Sequence, residues 1–332
     1  MFDRRQFLVG GGAAGALLAA TAFPNMAVAR ARTDRRFIFV LQRGGADGLS
    51  ILAPTGDPGF GSVRRAFAGE SLSGPKIDGF FTLHSELKET AKLYSAREAL
   101  FVHATALPTR RRSHFDAQNL LETGGLKPYQ HNDGWMNRLL TLLPRDQGQA
   151  LALAPAIPLI LRGPHAVSSF APSALPGASD DLMMRVSAMY EQDPQLHAVW
   201  SRAVATRTQA GDISGGRMTA GAMGQLAAKL LKGGDGARIA LIESNHWDTH
   251  AGQRTSISTR LRHFDNMVGA LKSGLGPAWA NTLVIAATEF GRTVAPNGTG
   301  GTDHGTGGAA MLFGGAVEGG KVIADWPGLA PS

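Results

Sequence analysis

No cysteine occurs in the 332 residues. That excludes disulfides and thiolate ligands, leaving Asp, Glu, His, hydroxyl and backbone oxygen to hold any ion. Long hydrophobic runs are also missing. The apolar stretch Val9–Phe23 is about 15 residues, whereas a spanning helix needs roughly 20. Its glycines and alanines weaken it further, so no stable membrane span is expected. Aromatic residues are sparse, at 7%, and do not interleave with the basic ones. The net charge of +7 is scattered apart from Arg110-Arg111-Arg112. A nucleic-acid groove is therefore not expected, and an anionic small molecule or polymer is the better ligand class. Neither a repeat nor a convincing linker interrupts the chain, which reads as one domain.

What is present begins with a leader. Asp3-Arg4-Arg5-Gln6-Phe7-Leu8 carries paired arginines, followed by the weakly apolar run, Pro24 and the small-residue tripeptide Ala27-Val28-Ala29. This is the pattern of a twin-arginine export signal over residues 1–29, with a peptidase site at its end. Asp3 and Val9 are small departures from that pattern. The competing reading is a core helix with a basic start, and failed cleavage leaves an N-terminal anchor. Export through the twin-arginine translocase implies a periplasmic or otherwise exported location. Removal of the leader takes away two arginines and one aspartate, leaving a charge of +6 on residues 30–332.

Short apolar runs at Arg36–Leu41, Leu100–Val102, Leu151–Leu161, Ile239–Ile242, Thr282–Ala287 and Met311–Phe313 predict buried strands. Helical patterns alternate with them at 85–94, 135–143, 182–207 (broken near Pro194) and 254–275. The alternation predicts an α/β fold: a mainly parallel central sheet with helices on both faces. In such sheets ligands gather where the strands end.

Metal-competent residues follow the predicted strands. Asp47 lies after the first, Asp248 and His250 after the Ile239 run, and Glu289 and Arg292 after the Thr282 run. Asp303 and His304 precede the last run. Hard oxygen and borderline nitrogen donors at one sheet edge suit a divalent ion that polarises a substrate. Each piece also has a plain structural reading. Asp47-Gly48 makes a turn, Asp248 caps a helix and Asp303 shapes a Gly-rich loop. His84, His165 and His197 are left out as isolated histidines. Ser113 is placed to cap a helix over 115–121, with Asp116 three positions on. The same hydroxyl, beside Arg111 and Arg112 at a helix start, is also a candidate nucleophile in positive potential.

At these residues the chain resembles a bacterial family of exported proteins known as domain of unknown function 1501, itself similar to the alkaline phosphatase and sulfatase superfamily. The resemblance rests on the leader, Arg43–Leu49, Arg112–Gln118, His246–Gln253, Thr288–Thr293, Gly301–Gly308 and Gly319–Leu329 with its Trp326-Pro327-Gly328. It implies Asp47 as an early metal ligand, Ser113 as nucleophile, Asp248 and His250 as a ligand pair, and His304 as the last imidazole with Asp303 beside it. Glu289 falls where better-known members carry an adjacent Asp-His pair, yet Phe290 follows it, so one imidazole is missing. The Asp248–His250 spacing is short, with His246 as a substitute. Arg292 either contacts substrate or pairs with Glu289. The resemblance implies one or two ions (zinc, calcium, magnesium or manganese) and an exported hydrolase of phosphate or sulfate esters, with Arg111, Arg112 or Arg292 on the anionic oxygens. The alternative is a non-catalytic envelope or binding protein of the same fold. Similar proteins continue beyond the Trp-Pro-Gly segment, so the chain reads as truncated at its C-terminus.

Overall fold

A computed structural model describes residues 33–67, 69, 73–144, 150–171, 180–210, 218–233 and 236–329. The expected leader, residues 1–29, therefore lies outside the described residues, as do residues 330–332. Ten strands follow in order: β1 Arg36–Gln42, β2 Leu52–Ala53, β3 Thr82–Leu83, β4 Ala99–Thr105, β5 Ala150–Leu153, β6 Ser168–Ser169, β7 Ile239–Ser244, β8 Thr282–Thr288, β9 Gly308–Phe313 and β10 Lys321–Ala324. The helices are α1 Gly48–Ile51, α2 Phe60–Val63, α3 Lys88–Ser95, α4 His114–Thr123, α5 Trp135–Leu139, α6 Asp180–Tyr190, α7 Pro194–Ala210, α8 Ala220–Leu231 and α9 Gln253–Leu275, with short 3-10 turns between.

Eight strands form one sheet in the order β10-β4-β9-β8-β1-β7-β5-β6. The pairings β1–β7, β1–β8, β5–β7, β5–β6 and β4–β10 are parallel. Strand β9 runs against both of its neighbours. Central β1 shows why the sheet is covered twice. Ile38 and Val40 enter one core with α8 and α9, while Phe39 and Leu41 enter another with Met136 of α5 and Leu161. Alternate side chains of a strand face opposite ways, so an unbroken apolar run needs cover on both faces. Each fully buried aliphatic side chain contributes roughly 1.5–3 kcal/mol.

One expectation is corrected in detail. The run Leu151–Leu161 is not one strand. Only Ala150–Leu153 pairs in the sheet, and a 3-10 turn follows at Leu159–Leu161, because Pro155 and Pro158 cannot donate to a ladder. The sheet also contains one reversed strand, β9, since the chain returns from the end of β8 without a crossover helix. That reversal brings the start of β9 to the edge where β1, β4, β7 and β8 end. Among the described residues, no helix is long and apolar enough to cross a membrane.

Candidate metal centre

Four segments meet at this edge. After β7, Trp247 is fully buried, and its backbone N–H donates to the Arg43 carbonyl at 3.1 Å, fixing the loop that carries Asp248 and His250. Gly44, at φ +118°, lies so close that a Cβ there would come within 2.5 Å of the Asp248 amide nitrogen. After β4, Ser113 caps α4 by accepting from the Asp116 amide at 3.4 Å, as its spacing predicts, and the first helical residue is His114. Gly124 closes that helix in the left-handed conformation. Before β9, the 300–305 loop presents His304.

Three imidazoles and a carboxylate converge there. His304 Nε2 lies 3.1 Å from His114 Nε2 and 3.0 Å from His250 Nε2. Asp248 Oδ1 is 3.1 Å from His250 Nε2 and 3.4 Å from His304 Nε2, and Oδ2 is 3.5 Å from His114 Nε2. His114, Asp248 and His304 each offer an atom within 4.8 Å of the others'.

The outer nitrogens decide how the rings present themselves. His114 Nδ1 meets Glu289 Oε1 at 2.8 Å, His304 Nδ1 meets the Arg112 carbonyl at 2.9 Å, and His250 Nδ1 meets Asp303 Oδ1 at 3.3 Å. For His114 and His304 the outer acceptor is the nearer one, which places the proton on Nδ1 and leaves the Nε2 lone pair toward the cluster, whereas His250 lies between two carboxylates, Asp303 at Nδ1 and Asp248 at Nε2. Ring nitrogens 3.0–3.1 Å apart are held together only with a proton or a cation between them. Ligands about 2 Å from a zinc ion stand roughly 3.3 Å from one another, close to the spacing among His114, Asp248 and His304, with His250 adjoining His304 and Asp248. The donor set therefore fits one divalent ion of borderline character, with rings oriented from behind in the manner usual for metal-bound histidine.

The surrounding charges are set for this. Burial opposes ionisation of Asp248, but the hydrogen bond and charge of Arg292 overcome it, with His250 and His114 adding, and the carboxyl sits below its usual range. Burial likewise opposes Glu289, yet hydrogen bonds from Gln118, its own backbone, His114 and Gly44 outweigh it and lower its pKa. Asn297 and then His250 lower that of exposed Asp303.

The predicted residues thus divide. Asp248, His250 and His304 come together, and Asp303 stands behind His250. Glu289 is buried, and its Oε1 receives N–H groups from Gly44 at 2.9 Å, Gln118 at 2.9 Å and His114 at 2.8 Å. It holds a ring rather than facing the converging nitrogens. Arg292 pairs with Asp248, not Glu289, and also donates to the carbonyls of Gly45, Thr302, Gly44 and Trp247. Its guanidinium is buried and committed to these partners. Arg112 is exposed, and Ser113 half-buried. His246, at φ +71°, is exposed and outside the ligand group.

Asp47 is separate from the cluster. It caps α1 and accepts from the Leu49 amide at 3.1 Å and from Ser50 Oγ at 2.8 Å, with Arg64 and the Gln253 amide completing its partners. Burial works against its charge, but Arg64, Ser50 and Gln253 prevail and hold its pKa down. Gln253 reaches the cluster indirectly. Its Oε1 accepts from Thr249 Oγ1 at 2.8 Å and from Thr302 Oγ1, clamping together the two loops that carry the histidines.

His114 was the residue missed. It supplies an imidazole beside Phe290, ring centroids 4.8 Å apart, where the adjacent pair lacks one. Its place at the start of a capped helix following a strand was the available signal.

Comparisons with known proteins add the following. No curated protein matches the chain. Among solved structures it is similar to alkaline phosphatase from the Antarctic bacterium TAB5, at 13% identity and a TM-score of 0.43, covering 87% of this chain and 94% of that one. It is also similar to the PsFucS1 sulfatase from Pseudoalteromonas sp., at 15% identity and 0.39, covering 92% and 67%. A third is an alkaline phosphatase superfamily protein from Vibrio parahaemolyticus, at 11% identity and 0.38, covering 89% and 64%. These loose likenesses concern the path of the chain and carry nothing about its chemistry. The family described as "Protein of unknown function (DUF1501)" matches residues 96–332, and the chain belongs to it.

Proposed function

We propose that this protein is an exported, metal-dependent hydrolase of phosphate or sulfate esters that works with one divalent ion. One observation carries the reading: the Nε2 atoms of His114, His250 and His304 gather with the Asp248 carboxylate, and every outer ring nitrogen meets an acceptor. His114, His250, His304 and Asp248 hold the ion. When bound, it supplies Lewis acidity toward the ester oxygens and favours an ionised nucleophile.

The remaining roles belong to the chain. Ser113, at the positive end of α4, attacks the phosphorus or sulfur atom as the alcohol departs, and water then releases the acid and restores the serine. Exposed Arg112 faces solvent beside it and pairs with the anionic oxygens. Arg292, spent on carbonyls and Asp248, positions that carboxylate and does not touch substrate. Glu289, Asp303 and the Arg112 carbonyl orient the rings. Exchange of Arg4 and Arg5 for lysine, followed by cell fractionation, tests the export step.

The test of the chemistry is metal analysis of the purified mature chain, with assays on generic phosphate and sulfate esters. Absence of a bound divalent ion, together with unchanged behaviour of Asp248→Ala and Ser113→Ala, sinks the proposal. A second reading is an exported binding protein in which the ion is structural. The saturation of Asp47 by protein donors favours it, because only one ion's worth of ligands remains. Chelator-sensitive melting without turnover selects this second reading, since ligand binding stabilises a fold without chemistry.

A further inference from the structure

The environment of Arg64 resembles a cation site more than a surface ion pair. Its side chain is fully buried, as is that of its partner Asp47. Its two terminal nitrogens meet only oxygens. One approaches the Asp47 carboxylate and Ser50 Oγ (3.1 Å), the other the carbonyls of Thr293 (3.3 Å) and Val294 (3.1 Å). The Phe67 ring covers the guanidinium, its centroid 4.8 Å from Cζ. The Nε–H has no partner, so the group is held by its charged end. A carboxylate, a hydroxyl and two carbonyls make up the donor set of a hard cation such as calcium or magnesium. The carboxylate has about four acceptor sites, and Leu49, Ser50, Arg64 and Gln253 take them.

We infer that Arg64 is a resident cation: its guanidinium fills an oxygen cage at Asp47 that would otherwise take a hard divalent ion. The segment caged with it, Thr293-Val294, directly follows Arg292, which grips Asp248. The inference rests on the proposed function only for the ion at the histidines, and its test does not use that ion.

The experiment compares wild type with Arg64→Ala, Arg64→Lys and the double variant Asp47→Asn/Arg64→Met in the mature chain. Melting temperatures are recorded in chelator and in calcium, and calcium is titrated calorimetrically. Calcium prefers oxygen to imidazole, so it reports on the cage and not on the histidine cluster. Arg64→Ala is expected to melt roughly 10 °C lower in chelator, to regain about half of that in calcium, and to bind one equivalent of calcium. Wild type, Arg64→Lys and the double variant are expected to bind none. Should Arg64→Ala not fold, Arg64→Gln keeps most of the volume without the charge and carries the same test. An Arg64→Ala or Arg64→Gln chain that keeps Asp47 and ignores calcium, magnesium and manganese overturns the inference. So does a wild-type chain that binds calcium and loses it on Asp47→Asn. A failure of the histidine cluster to bind zinc would overturn the proposed function and leave this result standing.

Discussion

Asp47 and Asp248 both follow strands of the same sheet, and both face a buried arginine. Their surroundings nonetheless differ in kind. Around Asp47 every neighbour is a donor: a guanidinium, a hydroxyl, an amide and a backbone N–H. Around Asp248, beyond Arg292, the neighbours are imidazole nitrogens of three histidines, each held at its other nitrogen by an acceptor. The first carboxylate is satisfied from within. The second, besides Arg292, lies among ring nitrogens rather than donors of fixed sign. Position after a strand therefore does not distinguish a ligand from a structural acid; the sign of the neighbours' hydrogen-bonding capacity does.

The largest effect should come from separating the two. Asp47→Ala leaves the Arg64 charge buried and unpaired, and should lower stability by about 3–5 kcal/mol, read from thermal or urea melts. Its zinc content, once refolded, should be unchanged. His304→Ala should do the opposite, losing the bound ion by elemental analysis and lowering ester turnover by roughly 10²–10³-fold, the scale of one lost electrostatic contact, with a modest change in melting. Equal loss of metal and stability in both variants would erase the contrast. Glu289→Gln keeps the shape behind His114 but removes the charge, and zinc affinity should fall about 10- to 100-fold.

The smallest effect is with pH. Folding lowers the pKa of Asp47 and Glu289 below their ordinary values of 3.8 and 4.5. A lowered carboxyl stabilises the fold above its unfolded pKa and loses that contribution as pH falls through the folded one. Metal-free protein should thus hold this part of its stability down to about pH 4.5 and lose it below. Asp265, raised by burial, acts in the opposite sense. The difference between wild type and Glu289→Gln across a pH series of melts isolates the Glu289 share.

The strands were readable because β1, β7 and β8 are apolar runs bounded by polar loops, and the Ser113 cap because its Asp116 partner stands three positions on. The direction of β9 was not, since an apolar run carries no arrow. Asp248, His250 and His304 could be named because short motifs hold them at strand ends. The role of His114 depends on α4 lying against Phe290 and Glu289, a contact between residues about 175 apart. Arg64 was silent for a similar reason. It lies in a turn after α2, outside any motif, and only the fold delivers it to Asp47.

The reversed strand has a consequence for the order of events during folding. Strand β4 is synthesised early, yet its neighbour toward the sheet centre is β9, some 200 residues later. Until β9 inserts, β4 has no bridge to β8, and His304, just ahead of β9, cannot reach His114, just beyond β4. Such distant pairings form late and slowly. On the proposed function, acquisition of the ion would thus be an assay of sheet completion, with the cluster closing once β9 has joined β4 to β8.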